Sequence, residues 1–549
     1  MLNNQDPEAA WSTFTQVLGD TLDKHVPLRT VRSSRRAPWM RPSLLREVRR
    51  KRKLWRRFTV TQDPLVLDAY RKQVKKVKKD TKKAKKEFEK RLAQNSKSNP
   101  KAFYSYLNSK KCNRVSIGPL KVNGKKIEDD KEMAEVLNNF FGSVFTEEDL
   151  SEIPTQEKLK PDLPSLDDFL FSENDVKNKL KKLKKQSAPG PDGITPNVLI
   201  ELSDVLCVPL AMIFNMSFVT GIVPSEWRMA NVTPIFKKGK KINPGNYRPV
   251  SLTCIASRVM ESILKDHIVD YLTFNDLILK SQHGFMKKRS CLTNLLEYIE
   301  NLTDLVDRGH AVDVVYLDFS KAFDKVPHER LAVMLQAHGI SGKILDWIKS
   351  WLRGRKQRVV LNGSVSTWIQ VFSGVPQGSV LGPLLFIIFI NLFDQEVGVL
   401  DIISKYADDT KVGGVVDEPE QIETLQNVLN RIMQWADTWQ MVFNKDKCHV
   451  MHLGRKNTKH FYTMGGYAPG GQVLDKSTWE EDLGVIVSDD LKPSKQCLVA
   501  SKKANSVLGR MARSFSYRSK DVWLRLYRIY IRPILKYDVQ AWSLWLART

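Results

Sequence analysis

The hydrophobic period of this chain changes several times, and each change marks an element. From Leu67 through Tyr70, Val74, Val77, Thr81, Ala84 and Phe88, apolar or small positions return every three or four residues, with lysines between them. That period predicts one long helix with a buried stripe, whose lysine faces are either solvated or track phosphates. Val312 to Phe319 alternates instead, placing Val314, Tyr316 and Asp318 on one face and Asp313, Val315 and Leu317 on the other. On that reading Asp313 is an edge or loop charge. Leu400 to Lys405 and Lys411 to Val416 predict two more strands, with Gly413 and Gly414 loosening the second, so Tyr406-Ala-Asp408-Asp409 falls at a hairpin turn. Arg358 to Val371 reads as a hairpin turning at Asn362-Gly363. Pro383 to Ile390, taken as the longest apolar run, is too short to span a bilayer and predicts a buried helix. Val499, Ala504, Val507, Leu508 and Met511 again follow a helical spacing.

Two of these elements carry chemistry. An Asp-Asp turn alone is as often a turn device as a site. Here a separate carboxylate, Asp318, ends a separate strand. One carboxylate there and two at a hairpin tip make a set of hard oxygen ligands suited to a pair of divalent cations, which is what joining a nucleotide to a 3′-hydroxyl requires.

Between these elements stands Ser373-Gly-Val-Pro-Gln377-Gly378-Ser-Val-Leu-Gly-Pro383. The order Asp318-Phe-Ser-Lys-Ala-Phe323-Asp324, then Gly-Val-Pro-Gln-Gly, then Tyr-Ala-Asp-Asp resembles motifs A, B and C of reverse transcriptases. Ser187-Ala-Pro-Gly-Pro-Asp-Gly-Ile194, Asn246-Tyr-Arg-Pro-Val-Ser-Leu252, Gln282-His-Gly-Phe285 and Leu483-Gly-Val-Ile486 narrow the resemblance to non-LTR, LINE-type retrotransposons of the jockey-like kind. It is most secure over residues 187–492, and Met286 stands where many relatives carry Arg.

The resemblance implies roles. Asp318, Asp408 and Asp409 match the metal ligands, and Lys447 matches the lysine proposed to protonate the leaving pyrophosphate. Phe323 matches the bulky residue beneath the incoming sugar, which selects deoxynucleotides, with a plain core role as the alternative. Gln377 and Gly378 match the approach to the nascent base pair, and Arg248 matches a triphosphate contact, with Lys237 and Lys238 as further candidates or solvated loop charges. Asp324 matches a family position without a clear role.

Other clusters read more plainly. Cys448, His449 and His452 lie on a strand pattern without a fourth ligand for zinc. His328 and His338 sit beside or within an ordinary amphipathic segment, and Gly465 to Gly471 reads as turn chemistry between strands.

Composition fits a partner of opposite charge: 549 residues carry a net charge of +26, concentrated in Arg32–Arg36, Arg49–Lys53 and the lysine helix. Arg49 to Lys53 also suits nuclear localisation. Six cysteines without paired spacing point to a reduced, intracellular protein of nucleus and cytoplasm, and no membrane partner is expected.

The expected fold is α+β, a right-hand polymerase of fingers, palm and thumb with a basic helical N-terminal extension. Its expected parts are a connector at 1–150, N-terminal extension and fingers at 151–310, palm at 311–492 and a helical thumb at 493–549. The expected activity is RNA-directed DNA polymerisation with Mg²⁺, or Mn²⁺, using an RNA template, a DNA primer and deoxynucleoside triphosphates. No endonuclease or RNase H pattern is found, so a truncated copy or an incomplete gene model is expected. Two alternatives stay open: the reverse transcriptase of a group II intron or related lineage, and a catalytically silent, retrotransposon-derived RNA-binding protein. Oligomeric state has no signature in the sequence.

Overall fold

The computed structural model describes residues 6–26, 37–110, 117–166, 169–398, 400–465 and 471–543. Arg32–Arg36, Gly466–Gly470 and the last residues from 544 lie outside them. The chain divides into two compact units, so residues 1–150 are shared between them.

The first unit comprises residues 1–26, 117–483 and 488–491. Its opening helix, Pro7–His25, starts where Asp6 accepts from the Ala9 amide, and it buries Ala10, Trp11, Phe14 and Leu18 at helical spacing. Trp11 Nε1 donates to Glu226 at 2.7 Å and its ring meets Trp227 edge-on, tying this helix into the unit's core.

A five-stranded sheet lies at the centre of that unit. Val312–Leu317 runs between Asp409–Val415 and His449–Leu453, antiparallel to both, and Ile402–Tyr406 extends the sheet beyond Asp409–Val415. The glycines in Asp409–Val415 do not loosen it. A Cβ on Gly413 would stand 2.3 Å from the Asp313 carbonyl, so glycine is what lets these two backbones close up. Asp313 is likewise no edge charge: it is fully buried, with His452 Nδ1 at 2.6 Å, Asn457 Nδ2 donating at 2.7 Å and the Tyr462 hydroxyl donating at 2.8 Å.

A second sheet places Met229–Phe236 between Tyr247–Leu252, antiparallel, and Arg355–Leu361, parallel. The hairpin expected at 358–371 exists, turning through left-handed Asn362 and Gly363, but it belongs to this sheet rather than to the one that ends at Asp318. Gly382–Ile390 is a helix buried at every position but Pro383, as its apolar run implies. Among the described residues one helix, Ser203–Thr220, is long and apolar enough to cross a membrane by length and composition. Leu210, Ile213 and Phe214 on it are packed in the core.

The second unit holds residues 27–116, 484–487 and 492–549. Pro42–Thr61 and Pro64–Gln94 pack side by side, with Gln73 donating to Glu47 near one end and Trp55 against Tyr70 near the other. The expected long helix is therefore present. Its core is completed from far along the chain. Phe103 stacks on Tyr530 at 4.1 Å, and buried Glu89 accepts from the Tyr106 hydroxyl and from the amides of Ser516 and Tyr517.

Candidate active site

The acidic turn is a two-residue hairpin. Tyr406 pairs with Asp409, and Ala407 takes a left-handed φ of 58° to close the loop. Asp318 leaves the neighbouring strand alongside it, its backbone held by Asn444, whose amide donates to the Asp318 carbonyl at 2.7 Å. All three carboxylates line one open cleft in the first unit. Burial and its neighbours Asp408, Asp482 and Asp318 push Asp409 up to about 6, and burial, with Asp318 adding to it, raises Asp408 as well. Lys447 Nζ sits 2.6 Å from Asp318 Oδ2 and partly compensates the cluster.

Cations share the cleft with these acids. Lys237, Lys238, Arg248, Lys321 and Lys447 all line the cleft. Burial depresses Lys237 and Lys321, and the nearby charges of Arg248 and Lys447 depress both further. An arrangement that strains its own like charges on both signs favours a ligand that is itself highly charged.

The Gly-Val-Pro-Gln-Gly loop forms the remaining wall. Ser251 donates its amide to the Gln377 carbonyl at 2.7 Å, and Gly378, at φ 119°, lies so close that a Cβ would meet the Ser251 carbonyl at 2.4 Å. The loop is thereby locked to the strand that carries Arg248. Asp324 acquires a definite contact here. Its Oδ1 accepts from Gln377 Nε2 at 2.9 Å, its Oδ2 is buried without a partner, and burial pushes it up to about 6. Phe323 has two faces: its ring stacks on core Phe386 at 4.4 Å, and it also lines the cleft. Lys321, Asn444 and Phe285 line the cleft too, and sequence reasoning missed them. Lys321 and Phe285 have left-handed backbones, for which the sequence carries no glycine as a signal.

Residues 235–495 match the reverse transcriptase (RNA-dependent DNA polymerase) family. This segment is a reverse transcriptase domain. Among curated proteins, the chain is 26% identical to the RNA-directed DNA polymerase from mobile element jockey of Drosophila melanogaster, over 67% of this chain and 41% of that protein. It is 24% identical to the probable RNA-directed DNA polymerase from transposon BS of the same species, over 91% of this chain and 58% of that protein. Against the putative 115 kDa protein of its type-1 retrotransposable element R1DM, identity is 26% over 79% of this chain and 41% of that protein. The chain thus spans about two fifths of the length of the first curated relatives.

Reverse transcriptases generally use divalent ions such as Mg²⁺. Among the described residues no three His, Cys, Asp or Glu side chains converge tightly enough to form a closed metal cluster. The donor set nevertheless suits a hard cation, because Asp318, Asp408 and Asp409 bring carboxylate oxygens into one cleft, and burial, with neighbouring carboxylates adding to it, raises the last two. The histidines and cysteine of the reverse transcriptase domain go elsewhere: His449 faces Glu480, His452 faces Asp313, and Cys448 donates to the Asp318 carbonyl. His338 is buried between the Met334 carbonyl and Asn391, and burial depresses it to about 4.

Proposed function

We propose that the chain is the RNA-directed DNA polymerase portion of a non-LTR retrotransposon protein, copying RNA into DNA from a DNA 3′-hydroxyl. One observation carries this reading: eight residues drawn from motifs spread between Arg248 and Lys447 line a single cleft that holds both carboxylates and cations. In this reading the sheet bearing the acids is the palm, the sheet bearing Arg248 the fingers, and the helices of the second unit a basic extension and thumb.

Asp318, Asp408 and Asp409 would hold Mg²⁺ or Mn²⁺. When bound, such ions activate the primer hydroxyl and neutralise the triphosphate. Arg248 and Lys237 draw the triphosphate into the cleft. Phe323, backed by Phe386 and so unable to retreat, takes the underside of the sugar and excludes a 2′-hydroxyl. Gln377, steadied by Asp324, faces the new base pair, and Gly378 leaves its backbone open to it. Lys447, released from Asp318 as the site fills, is placed to give a proton to the departing pyrophosphate. The exposed lysines of Pro64–Gln94 and the cations of Pro42–Thr61 supply a phosphate-binding surface for template RNA. The setting is intracellular, in nucleus and cytoplasm, without a membrane partner.

The test is primer extension by the purified chain with Mg²⁺, RNA template and deoxynucleotides, on a plasmid that is either closed or nicked beforehand. Synthesis on the nicked plasmid alone is expected, since among the described residues no cluster of acids for strand cleavage accompanies the cleft. Binding of RNA without any extension would instead favour the silent, RNA-binding alternative.

A further inference from the structure

The acidic turn is held from behind by the segment Ser281-Gln-His-Gly284. Lys405 donates its amide to the Ser281 carbonyl, and His283 donates its own to the Lys405 carbonyl, both at 2.9 Å, so the two backbones run together like strands. Gln282 then reaches past this pairing. Its Oε1 accepts from the Gly284 amide at 2.7 Å and from the Ala407 amide at 2.9 Å, and the whole side chain is buried. Gly284 has to be bare for this to work, because a Cβ there would stand 2.5 Å from the Ala407 nitrogen. The platform is itself anchored: Lys405 is fully buried in an ion pair with Asp394 at 2.5 Å, and Asp394 also accepts from the Ser281 hydroxyl.

Ala407 is where such support matters. A non-glycine residue at φ 58° resists that backbone, and the turn it closes carries Asp408 and Asp409. A relaxed Ala407 would swing both carboxylates. We propose that Gln282 is a positioning residue for Asp408 and Asp409, its side-chain carbonyl fixing the Ala407 peptide and so aiming the two acids into the cleft. The proposal rests on the polymerase reading above for what the acids do, while the clamp itself is a property of the fold.

The experiment compares the full chain with Gln282→Leu, which keeps bulk and removes the acceptor. Amide exchange over residues 405–409 should speed up in the variant. Mn²⁺ binding, read by electron paramagnetic resonance with RNA template and a dideoxy-terminated primer, should weaken about 10- to 100-fold, the usual cost of losing a partner that orients a metal ligand. In extension assays kcat should fall by a similar factor, with the KM for nucleotide and RNA affinity nearly unchanged and the melting temperature lowered by only a few degrees, the cost of the stranded amides. Adding Ala407→Gly should restore much of the Mn²⁺ affinity, because glycine takes the left-handed backbone without help. Unaltered exchange and Mn²⁺ affinity in Gln282→Leu would overturn the proposal. So would losses that track melting and RNA affinity and that Ala407→Gly does not repair. Should Gln282→Leu fail to fold, Gly284→Ala presses on the same peptide, and unchanged Mn²⁺ affinity there would equally overturn it. Exchange and Mn²⁺ binding need no turnover, so absent extension by the unmutated chain would count against the polymerase reading and leave the clamp to be judged on its own.

Discussion

Asp313 lies within the strand Val312–Leu317 and Asp318 just past its end, yet their surroundings are opposite. Asp313 is sealed, with His452, Asn457 and Tyr462 on its two oxygens. Asp318 opens into the cleft with one lysine on one oxygen, beside two acids raised first by burial and then by neighbouring carboxylates. The contrast separates two uses of a carboxylate. A fully partnered one gives the fold a fixed point, while an under-partnered one beside like charge holds affinity in reserve for a cation.

The sharpest way to break this contrast is to neutralise each end in turn. Asp318→Asn and Asp408→Asn should lower primer extension by more than about a hundredfold, since even indirect partners of a metal cost 10–100-fold, with RNA affinity hardly changed. Extension within about tenfold of the unmutated chain would sink the assignment. Asp313→Ala should do the reverse, costing about 3–5 kcal/mol in urea unfolding by stranding its buried partners, with kcat per folded molecule preserved.

Asp324 sharpens the comparison because it is intermediate, buried like Asp313 but with one oxygen unpartnered. Its folded value near 6 lies above the ordinary 3.8, so the folded state binds the proton more tightly than the unfolded chain. Its contribution to stability is therefore largest below 3.8 and is lost as pH rises through about 6, up to about 3 kcal/mol in all. Asp324→Asn should flatten that part of the pH–stability curve, measured by denaturant unfolding at about pH 4 and pH 7. A parallel curve for the variant would mean that Gln377 and Lys321 compensate the charge fully. The smallest effect is expected at Phe323→Ala, where ribonucleotide incorporation should rise about tenfold relative to deoxynucleotide in competition. An unchanged ratio would leave Phe323 to Phe386 and the core.

The cleft was readable before the fold because its residues sit in short segments whose period places them. Alternation delivered Asp318 to a strand end, and the flanking β runs delivered Asp408 and Asp409 to a turn. Alternation also put Asp313 on the other face. It could not say that His452 and Tyr462 cover that face, because both come from later in the chain. Gly413 was misread for the same reason: its meaning is a close approach to another strand, which no local pattern records. Trp11 buried beside Trp227 is a third case, since helical period shows that a face is apolar but not which partner it meets. Gln282 stood in a recognised motif, yet its use depends on the backbone angle of Ala407.

The second unit joins residues from 37–110 to residues from 492–543 through the stack of Phe103 on Tyr530 and the amides that Glu89 collects at Ser516 and Tyr517. A ribosome delivers these halves far apart in time. The lysine-clad hairpin emerges first and must wait through the synthesis of nearly the whole other unit before its mate arrives. Until then Phe103 and Leu92 have no cover from the later helices, and a premature stop near codon 490 would leave the acidic cleft encoded in full beside a basic arm unable to finish its core. Translation as far as Tyr530 and Ile531 is thus a condition for completing the core of one unit of this protein and not the other.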